Sequence, residues 1–163
     1  TAPAWVIGSI VHEALAQWRF PQQDEAQDEN FDQWAAARAR EYGLTDITQL
    51  KDGIKRAKIM LQRFRDSDVY VEIATADQRL HELPYVLGND EGVIDLLFQK
   101  DGVWTIVDFK TDRIRSDEDQ KATMERYAGQ LERYVRAVEG LMGVRPVVLL
   151  VLLNKKGQEA GSG

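Results

Sequence analysis

The segment TIVDFKTD, residues 105–112, places a carboxylate and an ammonium at the end of an apolar run. Side chains of a β-strand repeat on one face every two residues, so Asp108 and Lys110 are predicted to lie side by side. A carboxylate in this position can ligate a hard cation such as Mg²⁺, and the ammonium can contact a phosphate or a water molecule. On an ordinary exposed surface the same pair would form only a salt bridge, so these residues alone leave both interpretations open.

A second acidic residue, Asp95, is predicted to lie opposite Asp108. The pair Asp101-Gly102 has the composition of a two-residue hairpin turn between two runs of β-forming residues. In such a hairpin Lys100 pairs with Val103, and the same register brings Asp95 opposite Asp108. Side chains that are directly opposed on one face lie about 4.5–5.5 Å apart at Cβ, so two carboxylates there repel each other.

The repulsion between the two carboxylates must be offset by a shared proton, a basic partner or a metal cation. Two carboxylates aimed at one point suit a hard cation such as Mg²⁺. A salt bridge from either acid to Lys110 is the alternative, and a slip of one residue in register would undo the pairing. Phe109 is expected to point into the core on the opposite face. The acidic face is otherwise expected to be apolar, with Val93, Leu97 and Ile106.

The elements that must position these residues follow from hydrophobic periodicity and from capping and turn residues. A helix is predicted from Ser9 to about Arg19, ended by Pro21, and the longest helix is predicted to begin at Ser116. The polar segment 22–30 is interpreted as a loop. The other expected elements are helices over 31–42 and from Thr45 or Asp46, strands over 79–87 (interrupted by Pro84), 93–98, 103–109 and 147–153, and a segment 69–76 that fits either a strand or a short helix.

The order strand, long helix, strand predicts that the last strand runs parallel to the third through a right-handed crossover. The predicted fold class is therefore α/β, with a small mixed sheet of antiparallel strands and one parallel crossover strand, flanked by helices. Residues 1–156 are interpreted as a single domain, in which a helical subregion over about 22–77 separates the first helix from the sheet. Residues 157–163 are interpreted as a flexible tail.

The composition narrows the possible functions. The chain of 163 residues contains no cysteine, which excludes disulfides, thiolate nucleophiles, cysteine-ligated zinc and iron–sulfur clusters. Its net charge of −6 argues against a general nucleic-acid binder, so any contact with nucleic acid must rest on a local basic face or on metal ions. No apolar run is long enough for a transmembrane helix, and no signal peptide opens the chain. Because the first residue is Thr1, a fragment or a processed chain is expected.

Four short motifs share the order and spacing found in one enzyme family. GVID ends at Asp95, and DFKT begins at Asp108 after a step of 13 residues. GSIVH ends at His12 on the first predicted helix, and QLERY runs from Gln130 to Tyr134 on the long helix. Together these motifs resemble the PD-(D/E)XK nuclease superfamily, and within it the RecB-type nucleases, over nearly the whole chain. The resemblance implies a restriction-endonuclease-like core.

The resemblance also implies roles for the motif residues. His12, Asp95 and Asp108, with the main-chain carbonyl of Phe109, would ligate Mg²⁺ or Mn²⁺. Lys110 would position and help to activate the attacking water, beside the catalytic carboxylates of Asp95 and Asp108. A lone histidine on a short helix is more often a structural residue, and the matching motif is the reason for assigning His12 to the metal.

Weaker signals add further site residues. Glu82 matches an acidic position on the first strand of related nucleases and is a further catalytic candidate, although the predicted register does not settle its face. Gln130 and Tyr134 share a face of the long helix, where they could hold DNA or brace the site, and Tyr127 could join them. Both tyrosines could instead pack in the core.

Basic and aromatic side chains offer possible DNA contacts. Lys51, Lys55 and Lys58 run beside the apolar stripe of the third predicted helix. They could contact DNA phosphates or could only form a solvated face. The four tryptophans are assigned to the core rather than to base stacking: Trp5, Trp18, Trp34 and Trp104.

The predicted function is metal-dependent hydrolysis of DNA phosphodiester bonds, in the exonuclease domain of a helicase-nuclease that acts in double-strand break repair and recombination. The alternatives are a catalytically inactive DNA-binding scaffold of a repair complex and a free-standing endonuclease of the same superfamily. Because the chain has no Walker A pattern, a helicase motor is expected elsewhere in the same chain or complex. The absence of cysteine separates the chain from RecB-type relatives that carry an iron–sulfur staple. The expected setting is the bacterial cytoplasm near the nucleoid, on single-stranded DNA or duplex ends, without membrane contact.

Overall fold

The computed structural model describes residues 1–22 and 29–155. Most of the loop predicted over 22–30, and all of the tail predicted over 157–163, lie outside the described residues. The helices are α1 (Ala4–Ala16), α2 (Glu29–Glu41), α3 (Ile47–Arg65), α4 (Asp68–Ala74) and α5 (Asp117–Met142), and the strands are β1 (Gln78–Leu87), β2 (Asp90–Lys100), β3 (Val103–Lys110) and β4 (Val147–Leu152).

The four strands form one mixed sheet in the order β1-β2-β3-β4. β1 and β3 are antiparallel to β2, whereas β4 is parallel to β3. The long helix α5 connects β3 to β4, and α2, α3 and α4 come between α1 and β1 along the chain. The predicted α/β fold class, with its small mixed sheet flanked by helices, is therefore confirmed.

Each face of the sheet buries an apolar core. On one face the helices α1 to α4 pack around residues such as Val11, Leu61 and Phe109. On the other face α5 packs through Val135 against Ile106 of β3. Because both faces are covered, β3 is buried along most of its length, and a charged side chain there requires a partner. None of the described helices is both long and apolar enough to cross a membrane.

The turn between β2 and β3 forms as predicted. Asp101 and Gly102 have φ of 51° and 80°, the left-handed values that a two-residue turn of this kind requires. Lys100 follows in the predicted register, and the ladder between the two strands ends where Leu96 pairs with Val107. The next pair in the same register would be Asp95 and Asp108.

The alternation of β2 changes at Asp95, directly beyond the last ladder pair with β3. Ile94 is buried on the α5 face together with Leu97, whereas Val93 is 47% exposed. The prediction that Val93 shares the acidic face is therefore wrong. The break falls at an irregularity of the backbone: Glu82, which lies across from Asp95 in the register of β1, has φ of 49°, and neither residue belongs to the ladder between the two strands.

The first helix begins earlier than predicted. α1 starts at Ala4 after Pro3, and Ser9 lies inside the helix, where its hydroxyl donates to the carbonyl oxygen of Trp5. A proline at a helix start loses no helical hydrogen bond, because the first N–H groups have no partner within the helix. Ser9 is therefore not the N-cap that its residue type suggested.

Capping residues and the edge position of β1 explain the other element boundaries. Asp46 caps α3, and Ser116 caps α5 by accepting a hydrogen bond from a backbone N–H in the first turn. The ambiguous segment 69–76 is mostly helical, since Ser67 caps α4. β1 continues through Pro84 because it is an edge strand, where a missing N–H can face away from the sheet.

Candidate active site at the end of β3

His12 of α1 contacts the backbone of β3. Its Nε2 lies 2.7 Å from the carbonyl oxygen of Phe109, and its Nδ1 lies 2.9 Å from the carbonyl oxygen of Gly8. A neutral imidazole carries one N–H and can donate to only one of these two oxygens. If Nδ1 donates to Gly8, the Nε2 lone pair faces the carbonyl oxygen of Phe109. In a neutral ring one of the two contacts therefore brings two acceptors together, unless a second proton or a nearby cation compensates it.

Gly8 permits the close approach of α1 to the sheet. A Cβ atom at this position would lie 2.9 Å from the Oγ1 atom of Thr111, in the segment that follows β3. A glycine avoids this clash and lets the helix backbone pass close to the end of the strand. The glycine that stands four positions before His12 in the GSIVH motif thus has a physical reason.

Asp95 binds the same peptide region of β3. The N–H of Phe109 donates to Asp95 Oδ2 at 2.8 Å, and His12 Nε2 lies 3.7 Å from that oxygen. The carboxylate takes the hydrogen bond that a β2 carbonyl would accept in a regular ladder, which explains why the ladder stops here. Burial, and next the charge of Asp108, raise the pKa of Asp95 to about 7. The two acids interact through their side chains, although they are not a ladder pair.

Asp108 carries an unsatisfied oxygen. The residue is 2% exposed, and its Oδ2 is buried without a hydrogen-bond partner among the described residues. The Nζ of Lys110 lies 3.2 Å from this oxygen, so the two form an ion pair, but its geometry is not that of a hydrogen bond. A buried carboxylate oxygen is costly unless hydrogen bonds or a cation compensate it.

Lys110 is held by side chains of α5 as well as by Asp108. Its Nζ donates to Oε1 of Gln130 at 3.0 Å and lies 4.0 Å from the centre of the Tyr127 ring. An ammonium above an aromatic face is attracted by the negative charge of the ring face. These contacts fix the ammonium beside the carboxylates.

Asp112 is a functional candidate that the sequence alone did not identify. The Tyr127 hydroxyl lies 3.0 and 3.1 Å from its two carboxylate oxygens, and Arg126 pairs with it at 3.1 Å. Asp112 therefore fixes the aromatic ring that packs on Lys110. Its place two residues after Lys110 in TIVDFKTD was the available signal, but the contact with Tyr127 depends on how α5 packs against the sheet.

Tyr134 combines the two roles that the sequence left open. Its ring packs edge-to-face on Tyr85, with centroids 5.6 Å apart, in the core under α5. Burial, and next the charges of Asp108 and Asp95, raise the pKa of Tyr134. The ring thus belongs to the core, and the charges of the two carboxylates act on its hydroxyl.

The other predicted residues do not join this group of contacts. Glu82 is exposed, and although it falls across from Asp95 in the register, it makes none of the contacts described above. Lys51, Lys55 and Lys58 line a groove of about 680 Å³ between α2 and α3, where Lys58 pairs with an aspartate of α2 at 3.0 Å.

The tryptophans are not all in the core. Trp18 and Trp34 pack on the core under α1 to α4, and Trp104 packs on the core under α5. Trp5, however, is 59% exposed, so the prediction is wrong for this residue. It lies in the first turn of α1, on the helix face that carries His12 and not on the face that meets the core.

The residues at the end of β3 fit a hard divalent cation. His12 Nε2 lies beside the Phe109 oxygen, and Asp108 Oδ2 is buried without a hydrogen-bond partner among the described residues. Carboxylate, carbonyl and imidazole donors suit Mg²⁺ and Mn²⁺. In residues 1–22 and 29–155, no three histidine, aspartate or glutamate side chains are already drawn together as a metal site. Asp95 instead accepts from the Phe109 N–H, and Asp108 pairs with Lys110.

The chain is similar to known nucleases over nearly its whole length. The sequence profile of the PD-(D/E)XK nuclease superfamily matches residues 1–160. The chain is 32% identical over 162 residues to an ATP-dependent helicase/nuclease subunit of Staphylococcus epidermidis, in an alignment that covers 86% of this chain and 13% of that protein.

Two further relatives are also named as ATP-dependent helicase/nuclease subunits. The protein of Staphylococcus carnosus is 29% identical over 161 residues, covering 83% of this chain and 12% of its own length. The protein of Carboxydothermus hydrogenoformans is 50% identical over 52 residues, covering 32% of this chain and 4% of its own length. The chain thus spans about an eighth of the length of the two staphylococcal relatives.

Proposed function

This chain belongs to the PD-(D/E)XK nuclease superfamily, and we propose that it hydrolyses DNA phosphodiester bonds with the help of Mg²⁺ or Mn²⁺. One observation carries the proposal: His12 meets the carbonyl of Phe109 at the point where Asp95 binds the N–H of the same residue. Asp108, which is buried, and Lys110, which is partly exposed, form an ion pair beside this point.

The metal would be held by the side chains of His12, Asp95 and Asp108 and by the carbonyl oxygen of Phe109. A divalent cation supplies Lewis-acid chemistry, because it polarises a phosphoryl oxygen and lowers the pKa of a water molecule. The unsatisfied Oδ2 of Asp108 supports this assignment, since a cation would compensate its burial.

Lys110 would place the attacking water and stabilise the negative charge that develops on the phosphate. Gln130 and Tyr127 hold its ammonium in position, and Tyr134 would brace the site from the core under α5. Glu82 would act from the neighbouring strand if a substrate or metal drew it toward Asp95. An inactive scaffold has no need of a partly buried lysine held on three sides, so these contacts favour a working enzyme.

The setting is proposed from the relatives, which are named as subunits of a helicase/nuclease. The chain would be the exonuclease domain of such a protein in double-strand break repair and recombination, with a helicase motor in the same chain or complex. It would act on single-stranded DNA or duplex ends in the bacterial cytoplasm near the nucleoid. Residues 1–156 would form one domain, and Lys51, Lys55 and Lys58 would contact DNA phosphates.

The test is cleavage of end-labelled linear DNA and of circular DNA with Mg²⁺, Mn²⁺ or EDTA. Wild-type protein should cleave only with metal, and Asp108→Ala and Lys110→Ala should lower the rate about a hundredfold or more. Lys100→Ala is the matched control, because this lysine of the same hairpin pairs with Glu72 instead. Circular dichroism checks that each variant folds. Equal cleavage by wild type and both site variants would refute the proposal.

A further inference from the structure

A second cleft, of about 570 Å³, borders the proposed active site. It lies between the first turn of α1, the second half of α3 and the segment after β3. Trp5 lines it from α1, Arg56 and Arg63 line it from α3, and Arg113 lines it from the segment after β3. Thr111, the residue against which Gly8 packs, also lines it, so the cleft begins where the catalytic strand ends.

The lining of this cleft is positively charged in a chain whose net charge is −6. Three arginines and one aspartate line it, which gives a net charge of +2. The aspartate, Asp112, is already bound by Tyr127. Arg63 and Arg113 are exposed and make no ion pair within the described part of the chain, and Arg56 pairs only with an aspartate one turn earlier on α3. The cleft is therefore poised to bind an anion.

Trp5 adds an aromatic surface to this charge. The ring is 59% exposed, and its described aromatic contact is an edge-type contact with Tyr42, at 6.0 Å between centroids. A tryptophan so exposed beside unpaired arginines matches the chemistry of single-strand binding, in which bases stack on aromatic rings and phosphates meet cations. An acidic protein segment would use the arginines but would gain less from the ring.

The helix geometry links this cleft to the proposed metal site. Trp5 and His12 are seven positions apart on α1, so they share a face and lie about 10 Å apart along the helix axis. Arg56 and Arg63 have the same spacing on α3. A strand whose phosphate reaches His12 would therefore place a nearby nucleotide at Trp5.

We propose that this cleft binds single-stranded nucleic acid next to the scissile phosphate, with a base stacked on Trp5 and backbone phosphates on Arg63 and Arg113. The identity of the polymer rests on the proposed function. The cleft favours a single strand, because the inner bases of a duplex are stacked on one another and cannot also stack on a side chain.

The test measures binding without metal, so that cleavage plays no part. Fluorescence anisotropy follows a labelled oligothymidylate of roughly twelve nucleotides and a strand of the same length in which abasic sites replace the bases. The variants are Trp5→Ala, Trp5→Phe, Arg63→Ala and Arg113→Ala. Arg136→Ala, an exposed arginine of α5, is the matched control. Thermal unfolding checks that each variant is folded.

Trp5→Ala should weaken oligothymidylate binding roughly fivefold to a hundredfold and leave binding of the abasic strand unchanged. Trp5→Phe should restore most of the affinity. Each arginine variant should weaken the binding of both strands. It should also lower the steepness of the plot of log K against log[salt] by about 0.7. The inference is overturned if Trp5→Ala leaves the affinities for oligothymidylate and for the abasic strand unchanged, or if it lowers both affinities equally. If the wild type shows these binding differences but no metal-dependent cleavage, the proposed function fails and the cleft stands. If it cleaves with metal but the binding differences are absent, the cleft fails and the proposed function stands.

Discussion

The Nε2 atom of His12 lies 2.7 Å from the carbonyl oxygen of Phe109, a residue 97 positions further along the chain. The other ring nitrogen also faces a carbonyl oxygen, that of Gly8, so a neutral ring cannot satisfy both contacts as a donor. When Nδ1 carries the proton, a divalent cation beside Nε2 and the Phe109 oxygen could be ligated by both atoms. This relationship is the geometric basis of the proposed metal site.

His12→Ala should weaken Mn²⁺ binding by at least about tenfold, since outer-shell substitutions alone cost that much in metal sites. Isothermal titration calorimetry at constant pH measures the change. The matched control is His81→Gln, because His81 is the only other histidine of the chain and packs beside Trp18, on the core under α1 to α4. Equal loss of affinity in both variants would contradict the assignment of His12.

Gly8→Ala should displace α1 from β3, because the added Cβ would lie 2.9 Å from Thr111 Oγ1. The expected cost is about 1–3 kcal/mol of unfolding free energy, with a loss of metal affinity as His12 moves. Adding Thr111→Ala should restore much of both. Gly140→Ala is the control, since a Cβ there meets nothing and should stabilise α5 by up to about 1 kcal/mol. Urea unfolding and Mn²⁺ titration check these results, and a harmless Gly8→Ala would contradict them.

Asp95 should make the stability of the metal-free protein depend on pH. Its pKa is about 7 in the folded chain and about 3.9 when unperturbed, so the folded state binds this proton more tightly. The stabilisation is fully present below about pH 4 and is lost as the pH rises through about 7, by up to about 1.4 kcal/mol per pH unit. Urea unfolding in EDTA should show this loss in wild type and not in Asp95→Asn. Parallel profiles for the two proteins would rule out this role for Asp95.

Tyr127 should act through Lys110. Tyr127→Ala removes the ring above the ammonium and should lower kcat for DNA cleavage about tenfold with little change in KM. Tyr127→Phe keeps the ring but loses the bond to Asp112, so it should cost only a few-fold, as should Asp112→Asn. In a Lys110→Ala background, Tyr127→Ala should have no further effect on the residual rate. An additive loss there would show that Tyr127 acts independently of the lysine.

Local signals in the sequence predicted much of the fold. The Ser116 cap and the apolar stripe of α5 define the longest helix, and Asp101-Gly102 defines the hairpin register. Ser9 misled the prediction, because a serine inside a helix can bond to a backbone carbonyl of the preceding turn and imitate a cap. The face of Val93 was also missed, because strict alternation along β2 does not foresee the ladder break at Asp95 and Glu82.

The site was only partly predictable from the residues. The register brought Asp95 toward Asp108, but the contact of His12 with Phe109 depends on tertiary packing, and only the family resemblance indicated it. Asp112 could not be assigned, because its role depends on a tyrosine of α5. The exposure of Trp5 depends on which face of α1 meets the core.

The most direct test is the position of the metal itself, measured as anomalous scattering from crystals of the protein grown or soaked with Mn²⁺. The proposed site predicts a peak bound by His12 Nε2, the carboxylates of Asp95 and Asp108, and the carbonyl oxygen of Phe109. That peak should vanish in crystals of Asp108→Ala. Two results would contradict the proposed site: Mn²⁺ bound only elsewhere on the molecule, or no bound Mn²⁺ in crystals of wild-type protein that still cleaves DNA.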